Sequence, residues 1–170
     1  MEEAQIKTGQ FQGPSSGSLD KKNYAVYLIS NRREVSEEEK KRAFQSAVCY
    51  TSSRPNFFKV MKATNVQKYF AVIIPKTWAP KHLPNSTSDL DAQLRAPPNK
   101  KLWPVVLKMK STPPKLAKGW YKFVMDNNLE KDDACIFELS QGGKGKKESI
   151  IFDVLIHRVV NDVVSPTRVN

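Results

Sequence analysis

A chain of 170 residues with 39% apolar and 26% charged residues has the make-up of one globular domain with a core of its own. No apolar run approaches the roughly 18 residues of a membrane span, and Met1-Glu2-Glu3 lacks the basic start and apolar centre of a signal peptide, so the expected location is inside the cell. The net charge is +11, and nearly all of the excess lies in residues 54–122, where fourteen Lys and Arg face only Asp89 and Asp91. A single-sign field of that density repels itself, and a polyanionic partner explains it better than solvation does.

In chain order, residues 1–22 are polar, rich in small residues and aperiodic, the pattern of a flexible arm. Tyr24 to Ile29 is apolar and β-prone, either a strand or a docked tail. Ser36 with Glu39 has capping-box spacing, and Glu37, Glu38 and Glu39 set negative charge at the positive end of a helix dipole. Phe44, Ala47 and Val48 then recur at helical spacing up to a stop near Ser52-Ser53-Arg54-Pro55.

From Phe57 onward short β runs take over. Phe57–Met61 and Phe70–Ile74 read as neighbouring strands joined by the polar loop Lys62–Lys68, and Thr77–Leu83 has room for about two helical turns. Leu90, Ala92 and Leu94 alternate with polar residues, as do Trp103, Val105, Leu107 and Met109. Pro113-Pro114 breaks the chain before a second short helix carrying Trp120, Phe123 and Val124. Cys135, Phe137 and Leu139 alternate inward, Gly142 to Gly145 turns, Ile150–Ile156 is the last strand, and the tail after Arg158 has little pattern. Connections this short exclude a doubly wound parallel sheet and leave a small, mostly antiparallel barrel.

Catalytic constellations are missing from the pattern. Cys49 and Cys135 are far apart, His82 and His157 are isolated, and neither pair has metal-ligand spacing; reduced, buried thiols are expected. Asp89 and Asp91 share a strand face without a third carboxylate, and Asp132-Asp133 reads as a turn. No phosphate-cradling glycine loop occurs. The expectation is a non-enzyme with no cofactor, no metal site, no small-molecule substrate and no membrane partner.

Two basic elements are better candidates. In Lys62–Lys68, Thr64, Asn65 and Gln67 sit among lysines, and amides and hydroxyls can bond base edges while ammonium groups neutralise phosphates. Lys108 to Lys115 is a second such element, with Lys108 and Lys110 on an outward strand face running into Ser111 and Thr112. Trp78, Trp103 and Trp120 could stack on unpaired bases, but each lies on an apolar periodic face that points to the core.

Taken together, Phe57-Phe58-Lys59-Val60-Met61, Ile73-Ile74-Pro75 with Trp78-Ala79 and His82-Leu83, Trp103-Pro104-Val105, Gly119-Trp120-Tyr121-Lys122-Phe123, Asn128-Leu129 with Asp133, Cys135–Leu139 and Phe152–Ile156 form an ordered set. In order and spacing it resembles the plant B3 DNA-binding domain, most closely the reproductive-meristem branch with its vernalization-type factors, over roughly residues 55–158. The resemblance implies a mostly β, seven-stranded open pseudobarrel with two short α-helices, preceded here by an N-terminal helix. It also implies a plant transcriptional regulator in the nucleus that holds double-stranded DNA between two major-groove arms. The first arm falls on Lys62, Thr64, Asn65, Gln67, Lys68 and Lys76, and the second on Lys108, Lys110, Ser111, Thr112 and Lys115. Two positions depart from the family pattern: Asp132 stands where a glycine is usual, and His157 where an aromatic residue closes the last strand.

The expected organisation is a flexible arm and linker over 1–33, a leading helix over 34–53, the DNA-binding domain over 54–160 and a tail over 161–170. The alternative reading is a protein-interaction module whose basic face meets an acidic protein. Base preference, protein partners and self-association stay open at this level.

Overall fold

The computed structural model describes residues 25–170, so the arm expected at residues 1–22 lies outside the described residues. Seven strands form one curled sheet: β2 (Asn56–Val60), β3 (Val72–Ile73), β4 (Leu90–Arg95), β5 (Trp103–Lys108), β6 (Lys115–Leu116), β7 (Ala134–Gln141) and β8 (Ile150–His157). Their order is β2-β7-β8-β4-β5-β6-β3, antiparallel throughout except for the parallel pair of β4 and β8. Two further strands, β1 (Tyr27–Ile29) and β9 (Thr167–Val169), pair with each other in a separate ribbon. The tail over 161–170 thus carries a strand that its own sequence pattern does not announce, because three exposed residues have no alternation to display.

The sheet order corrects one expectation. Strands β2 and β3 are consecutive in the chain but stand at opposite edges of the sheet, so Lys62–Lys68 is no hairpin loop. It contains a four-residue helix, α2 (Ala63–Val66), and then reverses through Tyr69 (φ 66°) and Phe70 (φ 48°), left-handed conformations uncommon for bulky residues. Strand periodicity reports which face is buried and not which strand is the partner.

The core fills the inside of the curl. Phe57 stacks on Phe137 with centroids 4.9 Å apart, Trp78 meets Phe57 edge-on, and Trp120 stacks on Phe123 at 5.3 Å. Helix α4 (Trp120–Asn127) supplies Trp120, Phe123 and Val124 to this core, while α3 (Ala79–His82) supplies Ala79. All three tryptophans pack inward as their periodic faces indicate, and two use their indole N–H: Trp103 donates to Asp126 at 2.9 Å and Trp120 to the Asn65 carbonyl at 2.8 Å.

Helix α1 (Glu37–Val48) opens with the expected capping box, reinforced by a forked Arg33–Glu39 contact at 2.9 and 2.6 Å. That contact and the cap hold the Glu39 carboxyl down at about 2. The helix stops short of the expected Ser52-Ser53, and the Tyr50 hydroxyl donates to Glu138 at 2.7 Å, drawing the chain onto the sheet. It packs through Ala43 and Ala47 rather than Phe44 and Val48, because small side chains let it lie close on Ala134 and Ile136. Phe44 only edges against Phe58, and this covering helix is why Ala134–Leu139 is buried on both faces instead of alternating.

Both departures from the family pattern are accommodated. Asp132 takes φ 76°, and its N–H donates to the Met61 carbonyl at 2.8 Å. Its neighbour Asp133, buried, accepts the backbone N–H groups of Glu130 and Val159 and lies by Arg32 and Arg158. His157 leaves the barrel core and hydrogen-bonds Ser46 of α1 at 2.8 Å, fixing helix to sheet.

Candidate nucleic-acid interface

The first arm, residues 62–70, is a built element. Buried Met61 and Val66 anchor its base, the Asn65 side chain accepts the Lys62 N–H at 2.8 Å and donates to the Ala71 carbonyl at 2.8 Å, and Trp120 bonds the Asn65 carbonyl from below. Asn65, expected to read bases, is instead half-buried and holds the arm in shape. Lys62 and Thr64 are exposed on the outside, Gln67 and Lys68 are half-buried, and the Gln67 carbonyl accepts the N–H of Leu28 in β1 at 2.9 Å.

The second arm joins β5 to β6. Lys108, Lys110 and Thr112 are exposed and Ser111 and Lys115 half-buried, with Lys115 lying in β6 rather than in the turn itself. The ladder places Lys115 opposite Lys108 on β5 and opposite Ile73 on β3. Residues opposite one another in antiparallel strands project to one face, so Ile73, Lys115 and Lys108 form a row across three strands. Asp89 closes the row, 3.8 Å from the Lys108 ammonium.

Strand β3 links the two arms. The first arm runs into its start, and beyond its end the Ile74 N–H donates to the Pro114 carbonyl of the second arm at 2.9 Å, with exposed Lys76 two residues further on. The two basic arms thus flank β3, one leading into it and the other bonded just beyond it. Among the described residues β3 is an edge strand, with no further strand paired to its free side.

Among the described residues, charge on this edge is largely unrelieved: lysine ion pairs form at Lys40, Lys101, Lys108 and Lys122 and none at Lys62, Lys68, Lys76, Lys110 or Lys115. Sequence reasoning missed Lys59, on β2 near Lys62, whose pKa is lowered by burial and by the Lys62 charge. Alternation puts Lys59 on the same face as buried Phe57 and Met61, so the strand pattern gives no signal for it. Also missed was Tyr69, 78% exposed, which falls between the expected loop Lys62–Lys68 and the expected strand Phe70–Ile74.

Asp89 and Asp91 do not meet a third acid; among the described residues no group of three or more His, Cys, Asp or Glu converges as a metal site. Cys135 is buried, its thiol pKa pushed up by burial, whereas Cys49, expected to be buried, is exposed.

An open, curled β-sheet that presents two basic, preshaped loops along one edge has the electrostatic footprint of the nucleic-acid-binding β modules. Within that class the chain belongs to the B3 DNA binding domain family, whose model matches residues 57–154. The transcription factor VRN1 of Arabidopsis thaliana, a B3 domain-containing protein, is 31% identical over 110 residues, covering 65% of this chain and 31% of that protein. A B3 domain-containing protein of Oryza sativa subsp. japonica is 34% identical over 138 residues, or 80% of this chain and 32% of its own length. Among solved structures, the Arabidopsis FUS3–DNA complex superposes with a TM-score of 0.47 at 18% identity, covering 60% of this chain and 95% of that one. The chain spans between about a third and about half of the length of the first curated relatives it matches.

Proposed function

We propose that this chain is the DNA-binding part of a plant transcriptional regulator that acts in the nucleus and grips double-stranded DNA without catalysing a reaction on it. The DNA-binding unit is residues 54–160, with helix α1 of the leading segment 34–53 packed on its outer face. The first arm offers Lys62, Thr64, Gln67, Lys68 and Lys76 to the major groove, with Asn65 shaping it, and the second offers Lys108, Lys110, Ser111, Thr112 and Lys115.

The observation that carries this reading is the edge strand β3 with a basic arm at each end. Of the side chains offered to the groove, lysines lead amides and hydroxyls three to two on each arm, so phosphate contacts supply most of the affinity and base contacts modulate it. The test is duplex binding measured across a salt series. Log affinity should fall with log salt at about −0.9 per phosphate contacted, whereas a flat response, or failure to retard random duplex under heparin competition, would sink the proposal.

A further inference from the structure

Four aromatic rings converge beside the first arm, Phe70 and Tyr121 packed on the edge of the core and Tyr27 and Tyr69 reaching solvent. Tyr27 of β1, Lys68, Tyr69, Phe70, Lys118 and Tyr121 line a groove of about 410 Å³, within the ~300–1,000 Å³ typical of small-ligand sites. Tyr27 is 44% and Tyr69 78% exposed. The left-handed turn at Tyr69 and Phe70 points their rings apart: Phe70 packs edge-on against Tyr121 at 4.8 Å, and Tyr69 is left in solvent. Cations accompany the rings. The Lys68 ammonium lies 5.8 Å from the Tyr69 centroid, and the Arg168 guanidinium of β9 lies 5.8 Å from that of Tyr121.

No carboxylate is among the described residues that line this groove. A ligand suited to it has flat, stackable faces and carries negative charge. Bases inside a duplex are stacked on each other and cannot offer their faces; unpaired bases can. The tryptophans that sequence alone offered for stacking are committed elsewhere, Trp103 and Trp120 being 3% and 0% exposed.

We propose that this groove binds single-stranded polynucleotide, with unpaired bases stacking on Tyr69 and Tyr27 while Lys68, Lys118 and Arg168 hold the phosphates. Lys68 is shared with the duplex-binding arm, but Tyr27, Lys118 and Arg168 are not, so the two readings can fail separately.

The experiment compares fluorescence anisotropy of a labelled twelve-nucleotide oligothymidylate, the matching oligouridylate and a random duplex. Stacking on one ring is worth enough that Tyr27→Ala and Tyr69→Ala should each weaken single-strand binding about tenfold, and Lys118→Gln should weaken it with duplex affinity unchanged. Tight binding of the uridylate alone would identify RNA as the source of the unpaired bases, and binding of the thymidylate would identify DNA. A 5-iododeoxyuridine placed in the thymidylate should crosslink to Tyr27, Tyr69 or Tyr121 of the unaltered protein. The proposal is overturned if neither single strand binds, if the Tyr27→Ala/Tyr69→Ala double variant binds as well as the parent, or if crosslinks fall on the second arm.

Discussion

Lys108 and Lys115 stand directly opposite each other on β5 and β6, two like charges on one face of an antiparallel pair. Such a pairing destabilises a sheet, and Asp89 at 3.8 Å from Lys108 relieves only one member. A fold selected for stability alone would place an opposite charge or an uncharged residue at one of these positions. Lys115→Gln is therefore expected to raise stability by a few tenths of a kcal/mol up to about 1 kcal/mol while weakening duplex binding. Thermal unfolding of free protein and anisotropy with duplex DNA check the two halves, and a variant that loses stability would remove the electrostatic argument.

The arm lysines should act through phosphates and not through particular bases. Lys62→Ala, Lys68→Ala and Lys110→Ala remove side chains that carry no ion pair among the described residues, so the fold loses little. Each variant should bind all duplex sequences more weakly and flatten the salt slope by about 0.9 for each phosphate that is no longer neutralised. Normal binding by all three would relocate the interface away from the two arms.

How much of the fold and the site is legible in the sequence follows from what each kind of pattern encodes. The capping box at Ser36 and Glu39 and the inward tryptophans depend on local spacing, and the residues carry that directly. The partner of β2 does not: Phe57 and Phe137 stack across eighty residues of chain, and alternation in either strand is silent about the other. The same gap hid the site's geometry. Asn65 looks like a base reader because Asn between lysines is exposed in most loops, whereas its amide bonds to Lys62 and Ala71 arise only once α2 forms. Charge clustering does survive the step to three dimensions, since both basic runs flank β3.

The ribbon of β1 and β9 lies outside the residues matched by the family model, yet it touches the first arm. Leu28 is buried with the core, and its N–H reaches the Gln67 carbonyl at 2.9 Å. Removing residues 161–170 takes away the strand that pairs with β1. Amide hydrogen exchange over residues 62–70 should then quicken, and duplex affinity should fall while exchange in β7 and β8 stays slow. Unchanged exchange in the arm would show that the ribbon is not its brace, and would support ending the binding unit at residue 160.

His157 provides a pH test of how α1 is held. Its imidazole is half-buried beside Ser46, and burial lowers its pKa below the ordinary value, so the folded state favours the neutral ring. The unfolded chain takes up a proton near the unperturbed value of about 6.5, while the folded chain resists it until lower pH. Between those two values the unfolded state binds more protons, and stability must fall as pH drops. Thermal unfolding followed from neutral to mildly acidic pH should show this loss setting in near 6.5 and levelling off below the folded-state pKa. In His157→Gln, which keeps a hydrogen-bonding side chain at the position but cannot take up a proton, that component of the pH dependence should vanish; an identical profile in both proteins would assign the titration to another group.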